Sequence, residues 1–169
     1  MRIYLAVADH LARIGAYLAG AVLVGMVALI LWEIVLRSVF HSSTFIMDEF
    51  VGYGVAAATF MALAHALAQG QIIRVGLLIE RVPPRARRAL EVLSALIGMM
   101  TVAVLIHFFW LRVVRAWTRG SVSNSVAQVP MWIPEAIVTV GLALLWLQLL
   151  AHLIRNRRGD VRHMPPATH

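Results

Sequence analysis

The run Ile14–Leu36, IGAYLAGAVLVGMVALILWEIVL, decides the fold. Before Glu33 it carries no charged side chain, and its apolar residues surround the helix rather than striping one face. A segment of this kind, longer than the ~20 residues needed to cross about 30 Å of hydrocarbon, reads as a transmembrane helix. Three further runs, Ile46–Ala68, Ala89–Trp110 and Pro134–Ile154, have the same character. Only helices and closed barrels satisfy every backbone group in lipid, and uninterrupted apolar runs exclude the alternation of a barrel strand. The expectation is an all-α membrane protein with four transmembrane helices over residues 1–154 and a basic, disordered tail over 155–169. The first run is too long for a signal-peptide core, and Leu36–Phe40 offers no small-x-small cleavage site, so it reads as a retained helix.

Composition agrees. The 169-residue chain is 61% hydrophobic and 14% charged, with a mean hydropathy of +0.82, outside the balance of a soluble domain. It has no cysteine, which removes disulfides and thiolate metal or redox sites. The net charge of +7 is carried by arginine, since lysine is absent. In a membrane protein such a balance points to arginines facing anionic headgroups, and no nucleic-acid partner is expected. Their placement sets an orientation. Eleven arginines (2, 13, 74, 81, 85, 87, 88, 155, 157, 158 and 162) fall on one side, and Arg37, Arg112, Arg115 and Arg119 fall on the other. The positive-inside rule puts both termini and the 69–88 loop in the cytoplasm.

The helix ends hold the polar residues. Glu33 and Arg37 are spaced for an i,i+4 ion pair in the favourable order. Ser42, Ser43 and Thr44 supply N-cap residues for the second helix, and Asp48 and Glu49 complement the positive end of its dipole. Within it Gly52/Ala56, Gly54/Ala58 and Ala62/Ala66 repeat a small-xxx-small spacing, as do Gly15/Ala19, Ala16/Gly20 and Ala21/Gly25 in the first helix. Small residues on more than one face imply more than one neighbour, including another polypeptide. Residues 72–82 place Arg74 and Arg81 on one stripe and Ile72, Val75, Leu78, Ile79 and Val82 on another, an interfacial amphipathic helix ended by Pro83-Pro84. Arg112, Arg115 and Arg119 keep helical spacing as far as Gly120. This extends the third helix to roughly 46 Å and forms a basic outer edge suited to phosphates or an acidic partner. Trp132 anchors the outer interface before Pro134, which suits a helix N1 position, and Glu135 follows it.

Chemistry is sparse. No Gly-rich phosphate loop, nucleophile–base pattern or His-Glu-x-x-His is present, so an enzyme is not expected, and neither a cofactor nor a substrate site is assigned. Four crossings without a charge at mid-depth suggest a helper subunit rather than a transport machine, and two alternatives stand beside that reading. His65 and His152, both towards the cytoplasmic side, have the residue type for haem ligation in a redox membrane anchor. Glu33 as a membrane carboxylate would suit a small multidrug-type exporter, although it lies at a helix end beside Arg37.

In order and spacing these pieces resemble the small, DctQ-like membrane subunit of tripartite ATP-independent periplasmic (TRAP) transporters. The resemblance covers roughly Ile14 to Ile154 and rests on four features. They are Trp32-Glu33-x-x-x-Arg37, the acidic pair Asp48-Glu49, the run Gly70-Gln71-Ile72-Ile73-Arg74-Val75, and Gly120–Ser123 leading to Val129–Pro134. The chain departs from the pattern at Phe45–Met47, where the family often has tryptophan, and at Ile72, where it usually has histidine. The resemblance implies a scaffold role in a sodium-coupled importer of organic acids, carboxylates or sulfonates. The partners it implies are a large elevator-type membrane subunit and, transiently, a periplasmic substrate-binding protein, with phospholipids around the complex. Glu33, Arg37, Asp48, Glu49, Gly52, Ala56, Arg74, Arg81, Arg112, Arg115 and Trp132 are the expected partner or lipid contacts.

Overall fold

A computed structural model describes residues 2–69 and 84–157. Four helices follow in order: α1 Arg2–Phe40, α2 Met47–Ala68, α3 Pro84–Arg119 and α4 Trp132–Arg157. Each contains a stretch long and apolar enough to cross a membrane, so the protein is an all-helical, multi-pass membrane protein. Among the described residues the one β pairing is an isolated bridge between Val122 and Pro130. The interfacial helix expected over 72–82, with Arg74 and Arg81, lies outside the described residues, as does the tail beyond Arg157.

The helices run past the apolar runs that mark the lipid crossing. α1 has 39 residues, about 58 Å, and begins twelve residues before Ile14. Its early turns remain helical because Ala8 and Ala12 extend the buried stripe of small residues continued by Gly15, Ala19 and Met26 and ended by Glu33. Their spacings of three, four and seven keep them on one face. α3 opens on Pro84, whose missing N–H costs nothing in a first helical turn, and reaches Arg119, as the arginine spacing implies. It ends at Gly120 with φ +57°, where the Gly120 and Ser121 amides donate to the Trp117 and Ala116 carbonyls, a Schellman closure. α4 starts two residues earlier than Pro134 suggests. Pro134 is its third residue rather than its first, still inside the turn whose amides have no helical acceptor.

α4 is the hub. It packs on α1, α2 and α3, while α1 packs also on α2, and α3 is held chiefly by α4. A core of Val102 from α3 with Val138, Leu142 and Leu145 from α4 is closed by Phe60, Leu63 and Leu67 of α2 and by Phe109 and Leu149. The stripe of α3 that faces it, Ala95, Val102, Phe109 and Ala116, repeats every seven residues. Lipid tails are as apolar as leucine, so these contacts are held by close packing rather than by expulsion of water. The closest approach is at Gly141, where an added Cβ would stand 2.8 Å from both the carbonyl carbon and Cβ of Phe60. At Gly15 it would stand 2.9 Å from the Met61 carbonyl oxygen, and at Gly54 it would strike Met26. Gly20, Gly25 and Gly52 have nothing within 4 Å of the same position.

Gly141→Leu is therefore expected to force α2 and α4 apart and cost about 1–3 kcal/mol, seen as a lower melting temperature of the detergent-purified subunit. Gly25→Leu should leave that temperature unchanged or slightly raised. Equal losses from both would refute this division of the glycines.

Candidate functional site

The acidic and basic side chains of the described helices lie at their ends. Asp, Glu and Arg are missing from 14–32 in α1, 50–68 in α2, 92–111 in α3 and 136–154 in α4. The carboxylates and guanidiniums of the described helices are therefore confined to two layers, and the layer joining the end of α1, the start of α2 and the α3–α4 connection is the richer.

Glu33 is its centre. The residue is 1% exposed, at the end of the buried stripe of α1. Arg37 donates Nε to Oε1 at 3.0 Å, and the Ser43 hydroxyl donates to the same oxygen. Thr44 reaches Oε2 with its hydroxyl at 2.6 Å and its amide at 3.3 Å. One carboxylate thus holds both its own helix end and the connection to the next helix. His41 and Phe45 take left-handed φ values of 48° and 58° within that connection, a conformation disfavoured for bulky side chains and sustained by the surrounding bonds. Ser43 and Thr44 are accordingly not N-caps. The cap residue of α2 is Ile46, with no side-chain cap bond; Ser43 and Thr44 lie upstream of it, where both hydroxyls donate to Glu33 and Ser43 Oγ accepts the Phe45 amide. Arg37 is half-exposed, so its contribution to the pair is screened and small beside that of the enclosed hydroxyls.

Glu49 and Tyr53 join the two hairpins. The Tyr53 hydroxyl donates to Glu49 Oε1 at 2.6 Å and lies 3.4 Å from the Met131 sulfur, with Ser123 and Ser125 beside the same carboxylate. Asp48, next to it, is exposed. Across α3 and α4, Arg112 donates Nε at 2.9 Å and a terminal nitrogen at 2.8 Å to one oxygen of Glu135. Trp132 stacks edge-on against Trp117 with centroids 4.9 Å apart. The connection is tightened by the Met131 amide donating to Ser121 O at 3.0 Å and the Ser123 amide to Val129 O at 2.9 Å. Arg115 is exposed and turns its Nε back to the Leu111 carbonyl.

At the opposite end Arg155 of α4 reaches both oxygens of Asp9 in α1 at 2.6 Å, and Gln148 donates to Asp9 at 3.1 Å. Tyr4 donates its hydroxyl to the Leu147 carbonyl at 3.1 Å. Asp9 and Arg155 are 146 residues apart, and nothing in their spacing announces the pair. Gly52 is exposed with open space above it, whereas Ala56 is part of the packing on the α2–α4 core. His65 has its Nε2 3.4 Å from the side-chain nitrogen of Gln69, one turn along its own helix.

The arrangement thus defines a four-helix membrane component with charges at its faces and apolar, glycine-bearing sides. The family comparison gives it a place. The model for the DctQ component of tripartite ATP-independent periplasmic transporters matches residues 26–159, and the chain belongs to that family. No curated protein matches the chain. DctQ is a transporter component and not an enzyme, so the redox-anchor reading of His65 and His152 and the exporter reading of Glu33 give way to it. DctQ components work with a large DctM subunit and a substrate-binding protein.

Two outcomes follow from the geometry. Glu33→Gln should lower the melting temperature further than Arg37→Gln, because four donors converge on the first side chain while the second is half in solvent. Equal effects would show that Glu33 acts only through its ion pair. A double-mutant cycle of Arg112→Ala with Glu135→Ala should yield a coupling of about 1 kcal/mol, and a coupling near zero would make that pair incidental.

Proposed function

We propose that this subunit is the static scaffold of a sodium-coupled importer of organic acids, carboxylates or sulfonates. It binds and steadies a large membrane subunit that carries the substrate and sodium sites and moves as an elevator. The observation that carries this reading is the family match over 26–159, joined to a surface unlike that of a self-contained transporter. The membrane-spanning parts of the helices bring no carboxylate or guanidinium to mid-depth, where an ion path would need one. Gly20 and Gly25 on α1 and Gly52 on α2 stand open, so the backbone there is available to a second polypeptide, as close helix packing in lipid requires. Helices α1 and α2 therefore face the large subunit.

The subunit sits in the bacterial inner membrane with both termini in the cytoplasm, supported by the eleven-to-four division of arginines. The layer holding Glu33, Asp48, Glu49, Arg112, Arg115 and Trp132 then faces the periplasm, where the substrate-binding protein arrives. Arg74 and Arg81 belong on this reading to the cytoplasmic interface.

The test is co-purification in mild detergent from native membranes, followed by reconstitution. A large membrane protein should accompany the subunit, and the pair with its binding protein should take up an organic acid only under an inward sodium gradient. Gly25→Leu and Gly52→Leu should reduce recovery of the large subunit while sparing the melting temperature of the isolated chain. A haem absorbance band in the eluate, or full recovery of the partner by both variants, would overturn the proposal.

A further inference from the structure

The outward side of α3 differs from the open sides of α1 and α2. Away from its α4-facing stripe it exposes Ile97, Met100, Val104, Leu105, Phe108 and Leu111. These are large side chains, and no glycine is among them. Helix interfaces in lipid are enriched in small residues that allow close backbone approach, whereas bulky side chains pack readily against flexible acyl chains. Five residues on this side, Ile97, Met100, Thr101, Val104 and Leu105, line a shallow hollow of about 360 Å³.

The same side ends in charge. Arg115 and Arg119 are exposed one turn apart, and among the described residues neither has an acidic partner. The neighbouring cation, Arg112, is already neutralised by Glu135. His107, in the same part of α3, is also exposed. The end of α3 therefore presents a net positive pair to whatever lies beside it. From Thr101 to Arg115 the helix rises roughly 21 Å, which matches one leaflet of hydrocarbon plus its headgroup layer. Trp110, exposed between the two, has the amphipathic ring that settles at the boundary.

We propose that this side of α3 binds an anionic phospholipid, with the phosphate on Arg115 and Arg119 and an acyl chain in the hollow between Ile97 and Leu105. The site depends on α3 crossing the bilayer and not on the scaffold role, so each can fail without the other. Anionic headgroups are selected because two unpaired guanidiniums meet no opposing carboxylate there. The lipid fills the side of α3 that α4 leaves open, and it leaves the glycine-bearing sides of α1 and α2 to protein.

Native mass spectrometry of the full-length subunit, titrated with phosphatidylglycerol and separately with phosphatidylethanolamine, tests this. Phosphatidylglycerol adducts should survive activation better than phosphatidylethanolamine adducts. Each arginine beside an anionic headgroup is worth about a factor of five, so Arg115→Gln with Arg119→Gln should weaken phosphatidylglycerol binding roughly 30-fold. Lysine at both positions should retain most of it, which separates loss of charge from misfolding. Met100→Trp, which fills the hollow, should weaken both lipids while preserving the headgroup preference. Equal binding of the two lipids by the unaltered chain, or an unchanged preference in the double glutamine variant, would overturn the site. The chain has no cysteine, so Val104→Cys gives a single attachment point for a photocrosslinker. Crosslinking from it to the co-purified large subunit instead of lipid would likewise overturn the proposal.

Discussion

The close passage of α2 over α4 at Phe60 and Gly141 is the contact on which the rest of the bundle depends. α4 is the helix that touches all three others, and its approach to α2 leaves no room for a Cβ. In water, burying Leu142 and Val138 would itself draw the helices together. In a bilayer those residues are as comfortable against lipid as against each other, so the attraction must come from dense packing. That is why Phe60 lies directly on backbone at Gly141 and why Gly15 repeats the device against Met61. Leucine and valine around these points fill the gaps left between backbones already in place.

Packing of this kind fixes distance but allows helices to slide, and the polar layers at the two ends resist sliding. Glu33 gathers donors from α1 and from the short connection to α2, and Tyr53 joins that hairpin to Met131. Arg112 with Glu135 locks the second hairpin at the same level, and Asp9 with Arg155 ties α1 to α4 at the other end. Charges placed here avoid the dielectric cost they would meet at mid-depth and hold geometry at the ends of otherwise featureless apolar rods. The left-handed His41 and Phe45 belong to the same logic, since a connection this short must bend sharply to return the chain beside α1.

The division between what sequence reveals and what it hides follows from range. The four crossings were legible because hydrophobicity over twenty residues is a local, summed property, and Glu33–Arg37 was legible because both sit on one helix. The end of α3 at Gly120 was also readable, since a glycine after spaced arginines is a local signal. Ser43 and Thr44 have the residue type of caps, but sequence does not show that the helix opens only after Ile46 or that both hydroxyls turn back to Glu33. Arg112–Glu135 and Asp9–Arg155 were invisible, since each pair exists only after two helices have been brought together. The small-xxx-small spacings announced contacts but could not rank them. Gly15 and Gly54 are closed within the subunit while Gly20, Gly25 and Gly52 remain open, and that difference depends on helix rotation.

That difference also separates a finished protein from a component. α4 is the most buried of the four helices, but α1 and α3 meet the bundle along single stripes and leave most of their circumference uncovered. For a protein functioning alone, glycine on a lipid-facing side has no packing use and lowers helix stability. Gly20 and Gly25 fall on the open side of α1, five residues apart, whereas the exposed residues of α3 are mostly large, aliphatic or aromatic. One chain thus carries two kinds of uncovered surface, suited to two kinds of neighbour. On the proposed scaffold role, the first kind would receive another backbone and the second would rest in lipid. A transporter component needs a side where another backbone can settle, a side that rests in lipid, and end layers rigid enough to keep the two apart.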